Sequence, residues 1–211
     1  MSKIVIDPGH GGTAATGNSS ANNAKGPKGT LEKKMTLVIA VKTAEILNQA
    51  GHSVILTRNN DINLGLSDRA KVAANNNAEV FVSIHFNGDN NASVQGTECW
   101  VHPATAQDSR LLASSLLHRL VQVTGYTNRG VKAGKLGVLS PAVHAITTAA
   151  CLIEISFMTN ATDEDRLLTS AYQSQLANGI SRAITDFINK STSIIPLNPV
   201  PTNVPVNEGD I

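Results

Sequence analysis

The chain has 211 residues, of which 41% are hydrophobic and 3% aromatic, and its 17 basic and 16 acidic side chains leave a formal net charge of +1. That length suits one domain with a core of ordinary size, whereas the charge excludes the strongly basic surface typical of nucleic-acid binding. No apolar run approaches the roughly 20 residues that span a bilayer. The two cysteines, Cys99 and Cys151, are too few for a disulfide framework, so the expected chemistry rests on His, Glu, Asp and Ser side chains.

Strands and helices are expected to alternate along the chain. Short apolar runs that end in turn residues predict strands, and capped amphipathic stretches predict helices. In chain order the pattern predicts a strand at 4–6, a helix from an N-cap at Thr30 to a stop at Gly51, a strand at 53–57, a helix at 66–74, strands at 79–86 and 96–101, a helix at 109–123, a strand at 151–155 and a helix at 172–188. Such alternation is typical of βαβ units. We therefore expect an α/β fold: a single domain with a mostly parallel twisted sheet and helices on both faces.

The two ends of the chain differ in composition from the alternating strands and helices between them. Four of the eight prolines fall after residue 195, among Ser, Thr and Asn, and this composition is typical of a linker. We expect the folded domain to cover residues 1–189, and residues 190–211 to form a Pro-rich linker or disordered tail. The opening segment 1–7 lacks the layout of a secretory signal, so no signal peptide is expected in it.

Four polar residues are expected to gather at one edge of the sheet. His10 follows the first strand, Glu32 lies in the first turn of the helix that crosses back, His85 ends the third strand, and Glu154 lies near the end of a buried strand. Ligands of open α/β sheets bind at this carboxyl edge. Two histidines and one carboxylate form a known catalytic zinc arrangement, and a further carboxylate can act as its general base.

A structural interpretation of the same residues stays open at this point. A histidine at a strand end is commonly a hydrogen-bonded structural residue, and a glutamate in a first helical turn commonly stabilises the helix dipole. Spacing alone does not decide between a metal site and these roles, because His10, Glu32 and His85 lie far apart in the sequence.

Several motifs keep a characteristic order and spacing along residues 4 to 188. They are Ile4–Gly12, Leu31-Glu32-Lys33, Leu56-Thr57-Arg58 with Asp61, Leu66, Arg69 and Ala74-Asn75, Ser83–Asn87, Asn128–Lys132, and Leu152-Ile153-Glu154 with Phe157 and Asn160. Together these motifs resemble the zinc-dependent N-acetylmuramoyl-L-alanine amidases of the amidase-3 family. The sequence departs from the family pattern at 13–17, after the first histidine motif.

The resemblance implies a fold, a reaction and a site. His10, Glu32 and His85 would hold one Zn²⁺ ion, and Glu154 would be the catalytic carboxylate. The enzyme would hydrolyse the amide between N-acetylmuramic acid and L-alanine of the stem peptide, as an autolysin or endolysin does. Asn87 and Arg129 have two interpretations each: Asn87 contacts substrate or caps a turn, and Arg129 binds a substrate carboxylate or joins a structural ion pair.

Two other functions remain open alternatives. One is a zinc peptidase that cuts within cell-wall peptides, and the other is a non-catalytic wall-binding module of the same fold. The expected partner is peptidoglycan, with no nucleic acid and no membrane insertion, and the expected state is a monomer with an unobstructed site that acts at the cell wall or periplasm.

Overall fold

The computed structural model describes residues 1–190 and, within them, a six-stranded sheet with five α-helices. The strands are β1 (Lys3–Pro8), β2 (Ser53–Leu56), β3 (Val80–Asn87), β4 (Thr97–Val101), β5 (Asn128–Ala133) and β6 (Ala149–Phe157). The helices are α1 (Glu32–Gln49), α2 (Leu66–Asn75), α3 (Gln107–Thr124), α4 (Ala161–Leu167) and α5 (Ser170–Ile188), with a 3₁₀ turn at Gly137–Leu139.

The sheet is mostly parallel, in the order β2-β1-β3-β6-β4-β5. Strands β2, β1, β3 and β6 run parallel to one another, and β4 pairs antiparallel with β6 and parallel with β5. The predicted α/β class with a mostly parallel sheet is confirmed. Because β4 is reversed, its amino end lies beside the carboxyl ends of β1, β3 and β6.

The two faces of the sheet carry cores of different size. Alternate residues of β1 and β3, such as Ile6 and Val82, pack in a large cluster with α1, α3 and α5. The opposite face buries Val5 and Phe81 in a smaller cluster with Trp100 and residues of α2 and the 3₁₀ turn. Since successive strand residues point to opposite faces, His85 and Glu154 lie on this second, thinly covered face.

Three details differ from the sequence expectations. Strand β5 and helix α4 had no clear periodic signal and were not predicted. The predicted N-cap at Thr30 is wrong: α1 begins at Glu32, and its N-cap Leu31 makes no side-chain capping bond. Thr30 instead belongs to the preceding loop, where its N–H donates to Glu164 Oε1 at 3.1 Å and its carbonyl accepts from Gly26 at 2.9 Å.

The expected linker or tail, residues 190–211, lies outside the described residues from position 191 onward, so it stays a prediction. Among residues 1–190, none of the helices combines the length and the hydropathy of a membrane-spanning segment.

A buried ion pair lies beneath the carboxyl edge of β1. Asp7 and Arg69 are both almost fully buried, and Arg69 Nη1 donates to Asp7 Oδ1 at 2.8 Å. Thr57 and Ser83 also donate to the Asp7 carboxylate. Burial alone would raise the pKa of Asp7, but the Arg69 charge and these hydrogen bonds outweigh it and hold the pKa below 3.8. This carboxylate therefore contributes stability above that pH, which is lost as the pH falls through the lowered pKa.

Two buried arginines hold the turn that follows β1. Arg69 donates to the carbonyls of Pro8 at 2.7 Å and His10 at 2.8 Å. Arg58 donates to the carbonyls of Pro8 at 3.0 Å and Gly9 at 2.8 Å, and also to Lys33 in α1 at 2.8 Å. The turn therefore has its carbonyls paired with fixed cations, which ties its position to both α1 and α2.

We predict that Arg69→Met destabilises the fold by about 3–5 kcal/mol, because it leaves the buried Asp7 carboxylate without its counter-ion. Urea unfolding at neutral pH measures the change. Arg119→Met is the control, since Arg119 pairs with Asp186 in half-exposed positions and such pairs contribute at most about 1 kcal/mol. Equal effects of the two substitutions would contradict the prediction.

Candidate metal centre and adjoining carboxylates

The structure brings three of the four predicted site residues into one cluster. His10 Nε2 lies 3.2 Å from Glu32 Oε1, and His85 Nδ1 lies 3.1 Å from the same oxygen. The two imidazole rings are edge to face, with centroids 4.8 Å apart. One donor atom from each residue lies within 4.8 Å of the others, so the group could hold a metal ion.

His10 is placed by a strained turn and fixed in one ring orientation. Its φ is +59°, a left-handed conformation that L-residues adopt at a cost and that clusters at functional sites. Its Nδ1 lies 3.1 Å from the Ser20 carbonyl and 2.9 Å from the Ser20 hydroxyl. An Nδ1–H that donates to the carbonyl leaves Nε2 with a free lone pair, and Nε2 is buried without a hydrogen-bond partner among the described residues.

Glu32 is oriented by backbone donors on both sides. Ala24 N–H donates to Oε2 at 2.8 Å, and Phe86 N–H donates to Oε1 at 3.1 Å. Burial would raise the pKa of Glu32, but the charge of His10 and the hydrogen bond from His85 lower it. Glu32 is therefore an anion at neutral pH.

The histidines respond to this anion in opposite directions. Burial would lower the pKa of His10, but the negative charge of Glu32 outweighs burial and raises it. Burial lowers the pKa of His85, and the Glu32 hydrogen bond only partly offsets it. Neutral imidazole is the form that binds a metal, and the lowered pKa of His85 favours that form.

The donor set fits zinc. Two imidazole nitrogens and a carboxylate oxygen are ordinary zinc ligands, and tetrahedral ligands at bond lengths of about 2.0–2.1 Å lie about 3.3 Å apart. The separations of 3.1 and 3.2 Å around Glu32 Oε1 are close to that value. The unpartnered Nε2 of His10 is the orphaned buried atom that a metal would satisfy.

Glu154 lies beside this cluster rather than within it. It is the register partner of His85 across β3 and β6, so the two side chains share one face of the sheet. Only 2% of Glu154 is exposed, and its Oε2 has no hydrogen-bond partner among the described residues. Burial, with the charges of Glu32 and Glu98, raises its pKa well above 4.5, and Lys132 opposes the shift.

A second buried carboxylate, Glu98, was missed by the sequence reasoning. It is the register partner of Glu154 across β6 and β4 and is 2% exposed. Four side chains donate to it; they are Arg129 Nε at 2.7 Å, Lys132 Nζ at 2.6 Å, Trp100 Nε1 at 3.1 Å and Asn87 Nδ2 at 3.3 Å. The signal was present, because a carboxylate within the apolar strand 96–101 is the same anomaly that singled out Glu154.

The two open interpretations of Arg129 and Asn87 are partly decided by these contacts. Arg129 is a member of an ion pair with Glu98. Asn87 donates to Glu98 and accepts from the Gly88 N–H at 2.9 Å, which is a turn-capping bond. These contacts hold part of each side chain in place. A role in substrate binding is a proposal for both residues.

Comparison with known proteins identifies a family that matches nearly the whole described chain. The family model of N-acetylmuramoyl-L-alanine amidase matches residues 4–186. A sporulation-specific N-acetylmuramoyl-L-alanine amidase of Bacillus subtilis is 32% identical over 198 residues, which cover 92% of this chain and 71% of that protein. The N-acetylmuramoyl-L-alanine amidase LytC of Bacillus subtilis is 33% identical over 84% of this chain, and the match covers 34% of LytC. The chain thus spans about a third of LytC.

The fold has solved counterparts. The crystal structure of an N-acetylmuramoyl-L-alanine amidase from Clostridium difficile 630 superposes with a TM-score of 0.79 at 31% identity, and the match covers 89% of this chain and 97% of that one.

We predict that His10→Ala loses bound zinc, because it removes one of three ligands from the cluster. Zinc content is measured by mass spectrometry after equilibration with zinc and removal of the free ion. His118→Ala is the control, since His118 lies on α3 and contacts Gln122 instead of the cluster. Undiminished zinc in His10→Ala would overturn the ligand assignment.

We also predict that Gly9→Ala weakens zinc binding by about 10–100-fold, the usual effect of disturbing a ligand's support. A Cβ at Gly9 would lie 2.3 Å from His85 Nε2, so the imidazole must move. Gly88→Ala is the matched control, because its Cβ would meet Ala24 at an ordinary 3.4 Å. Competition with a chromophoric chelator measures both affinities, and equal affinities would contradict the role given to Gly9.

Proposed function

The chain belongs to the N-acetylmuramoyl-L-alanine amidase family, and from this we propose that it cleaves peptidoglycan between N-acetylmuramic acid and the L-alanine of the stem peptide, in a zinc-dependent reaction. The observation that carries the zinc dependence is the buried His10–Glu32–His85 group with Glu154 on the neighbouring strand. Amide hydrolysis of peptidoglycan is the reaction class of the family. The zinc requirement and the residue roles are the proposal.

His10, Glu32 and His85 would hold the ion, through Nε2, a carboxylate oxygen and Nδ1. A zinc ion held by these residues would offset the repulsion between the carboxylates, lower the pKa of water towards about 7 and polarise the scissile carbonyl. The protein supplies the fixed orientation, through Ser20 for His10 and through Ala24 and Phe86 for Glu32. The three ligands need not reorganise when substrate arrives, since all are buried and hydrogen-bonded.

Glu154 is the proposed proton carrier. One oxygen of its carboxyl has no hydrogen-bond partner within residues 1–190, so this oxygen is available to accept a proton from the attacking water. The same oxygen then delivers the proton to the leaving nitrogen of L-alanine, which departs as a neutral amine. The raised pKa favours this exchange, because a carboxyl that holds its proton more tightly is the better base and can still return it.

The two alternative functions, a zinc peptidase and a wall-binding module, require different features of the site. A peptidase would use the same zinc chemistry, but the family description names the muramoyl–alanine amide. A wall-binding module would need neither an unpartnered carboxyl nor three converging metal donors. We therefore favour the amidase, and we propose that it acts as a monomer on peptidoglycan at the cell wall or periplasm.

We predict that Glu154→Gln lowers kcat on purified cell walls by about 10²–10⁴-fold, the usual contribution of general acid–base catalysis, and leaves zinc content unchanged. The amide cannot accept and return a proton. Turbidity loss measures lysis, and labelling of new amino termini identifies the bond: only L-alanine is expected.

Glu45→Gln is the control, since Glu45 is an exposed residue of α1 and its substitution is expected to leave kcat unchanged. Amino termini other than L-alanine would favour the peptidase. Full activity of Glu154→Gln would rule out the assigned role.

A further inference from the structure

We propose that Arg129, supported by Lys132, forms a subsite for a free carboxylate of the stem peptide next to the scissile amide. This proposal rests on the proposed function. It adds that the enzyme recognises a negatively charged group on the peptide side of the scissile amide. It assigns a binding role to the two terminal nitrogens of Arg129, whose Nε already donates to Glu98.

The subsite is built on a buried anchor. Glu98 is 2% exposed and receives Arg129 Nε at 2.7 Å and Lys132 Nζ at 2.6 Å on the same oxygen, Oε2. Trp100 and Asn87 donate to its other oxygen. Charge-assisted bonds of this kind hold both cations in fixed positions, so the pair is preorganised for an anion.

The Arg129 guanidinium is further fixed by its surroundings. Its central carbon lies 4.8 Å from the centre of the Phe157 ring, over the ring face. The side chain crosses Gly96, where a Cβ would lie 2.4 Å from Arg129 Cδ. The absence of a side chain at Gly96 therefore leaves room for the Arg129 side chain, and the Phe157 ring stacks against the guanidinium.

One edge of the guanidinium remains available. Within residues 1–190 its two terminal nitrogens make no hydrogen bond, and 34% of the Arg129 side chain is exposed, against 20% for Lys132. A guanidinium that is stacked on one face and paired through Nε keeps two terminal nitrogens with which it can bind a carboxylate.

The charge balance favours an anion. Glu98 carries one negative charge, whereas Arg129 and Lys132 carry two positive charges, which leaves an excess of one. A partly desolvated excess positive charge attracts a carboxylate more strongly than a neutral amide. Glu98 is the register partner of Glu154 on the adjacent strand, and its two cations lie on β5, the next strand beyond β4.

The substrate carries its carboxylates on the peptide side of the scissile bond. The lactyl carboxyl of N-acetylmuramic acid is consumed in the amide itself, so the adjoining sugar offers only hydroxyl and acetamido groups. An anion held close to Glu154 therefore belongs to the peptide that leaves with L-alanine.

The test uses two muramoyl peptides that differ in one group: the residue after L-alanine bears a free α-carboxylate in one and a carboxamide in the other. We expect the wild type to cleave the carboxylate with about tenfold higher kcat/KM, the size of one charge-assisted hydrogen bond. Arg129→Gln is expected to abolish this preference by raising KM for the carboxylate substrate, with the carboxamide substrate unaffected. Lys132→Gln is expected to reduce the preference in part.

Arg119→Gln is the matched control, because Arg119 also pairs with a carboxylate, that of Asp186, and is exposed to a similar extent at 39%. Its preference ratio is expected to equal that of the wild type. Equal cleavage of both substrates by the wild type, or an equal loss on both in Arg129→Gln, would overturn the subsite and leave Arg129 as a structural partner of Glu98.

A separate measurement distinguishes failure of the subsite from failure of the proposed reaction. Calorimetric binding of the two free stem peptides, which lack the scissile amide, tests the subsite without catalysis. Tighter binding of the carboxylate peptide by the wild type but not by Arg129→Gln supports the subsite even if neither muramoyl peptide is cleaved. Absence of any difference in binding contradicts it even if cleavage at L-alanine is confirmed.

Discussion

The buried pair of Asp7 and Arg69 is the interaction on which the geometry of the site depends. A carboxylate with no exposed surface at the end of β1 requires a cation, and the cation that neutralises it also donates to the carbonyls of Pro8 and His10. Arg69 therefore couples the stability of the sheet to the position of the first metal donor. Arg58 extends this coupling to α1, because it bridges Gly9 and Lys33, one residue from Glu32. The strained backbone of His10 can persist because these contacts over-determine it.

Three buried glutamates at the same edge of the sheet have different hydrogen-bond and charge partners, and these partners give them different properties. Glu32 has two histidines and two backbone donors, which favour its anion. Glu98 has two cations and two neutral donors. Glu154 lies near both and has one oxygen with no donor among residues 1–190, and burial and the neighbouring negative charges raise its pKa. The different environments of these identical side chains are consistent with the roles proposed for them: metal ligand for Glu32, anchor for Glu98 and proton carrier for Glu154.

The sequence predicted those features that follow from periodicity and from the carboxyl-edge rule. The long strands and helices have strong patterns, and His10, Glu32, His85 and Glu154 stand at strand ends or a helix start, where the topology brings them together. Strand β5 was missed because Asn128, Arg129 and Gly130 have no alternation, and it is held by pairing to β4. The Thr30 cap failed because Glu164, distant in sequence, binds its N–H. Contacts such as Ser20 with His10 depend on irregular loop geometry, which no local pattern encodes.

The scarcity of aromatic residues has a specific consequence for substrate recognition. Of the few aromatic side chains, Trp100 and Phe157 lie beside the site, but Trp100 is 5% exposed and Phe157 2%. Each ring supports a cation instead of a sugar: Lys132 lies 5.1 Å from the Trp100 ring centre, and Arg129 lies over Phe157. The cation–π contacts of these two rings therefore hold Arg129 and Lys132 in place. This arrangement agrees with the proposed recognition of the polymer through charged and polar groups on the peptide side, since only β4 separates Arg129 on β5 from Glu154 on β6.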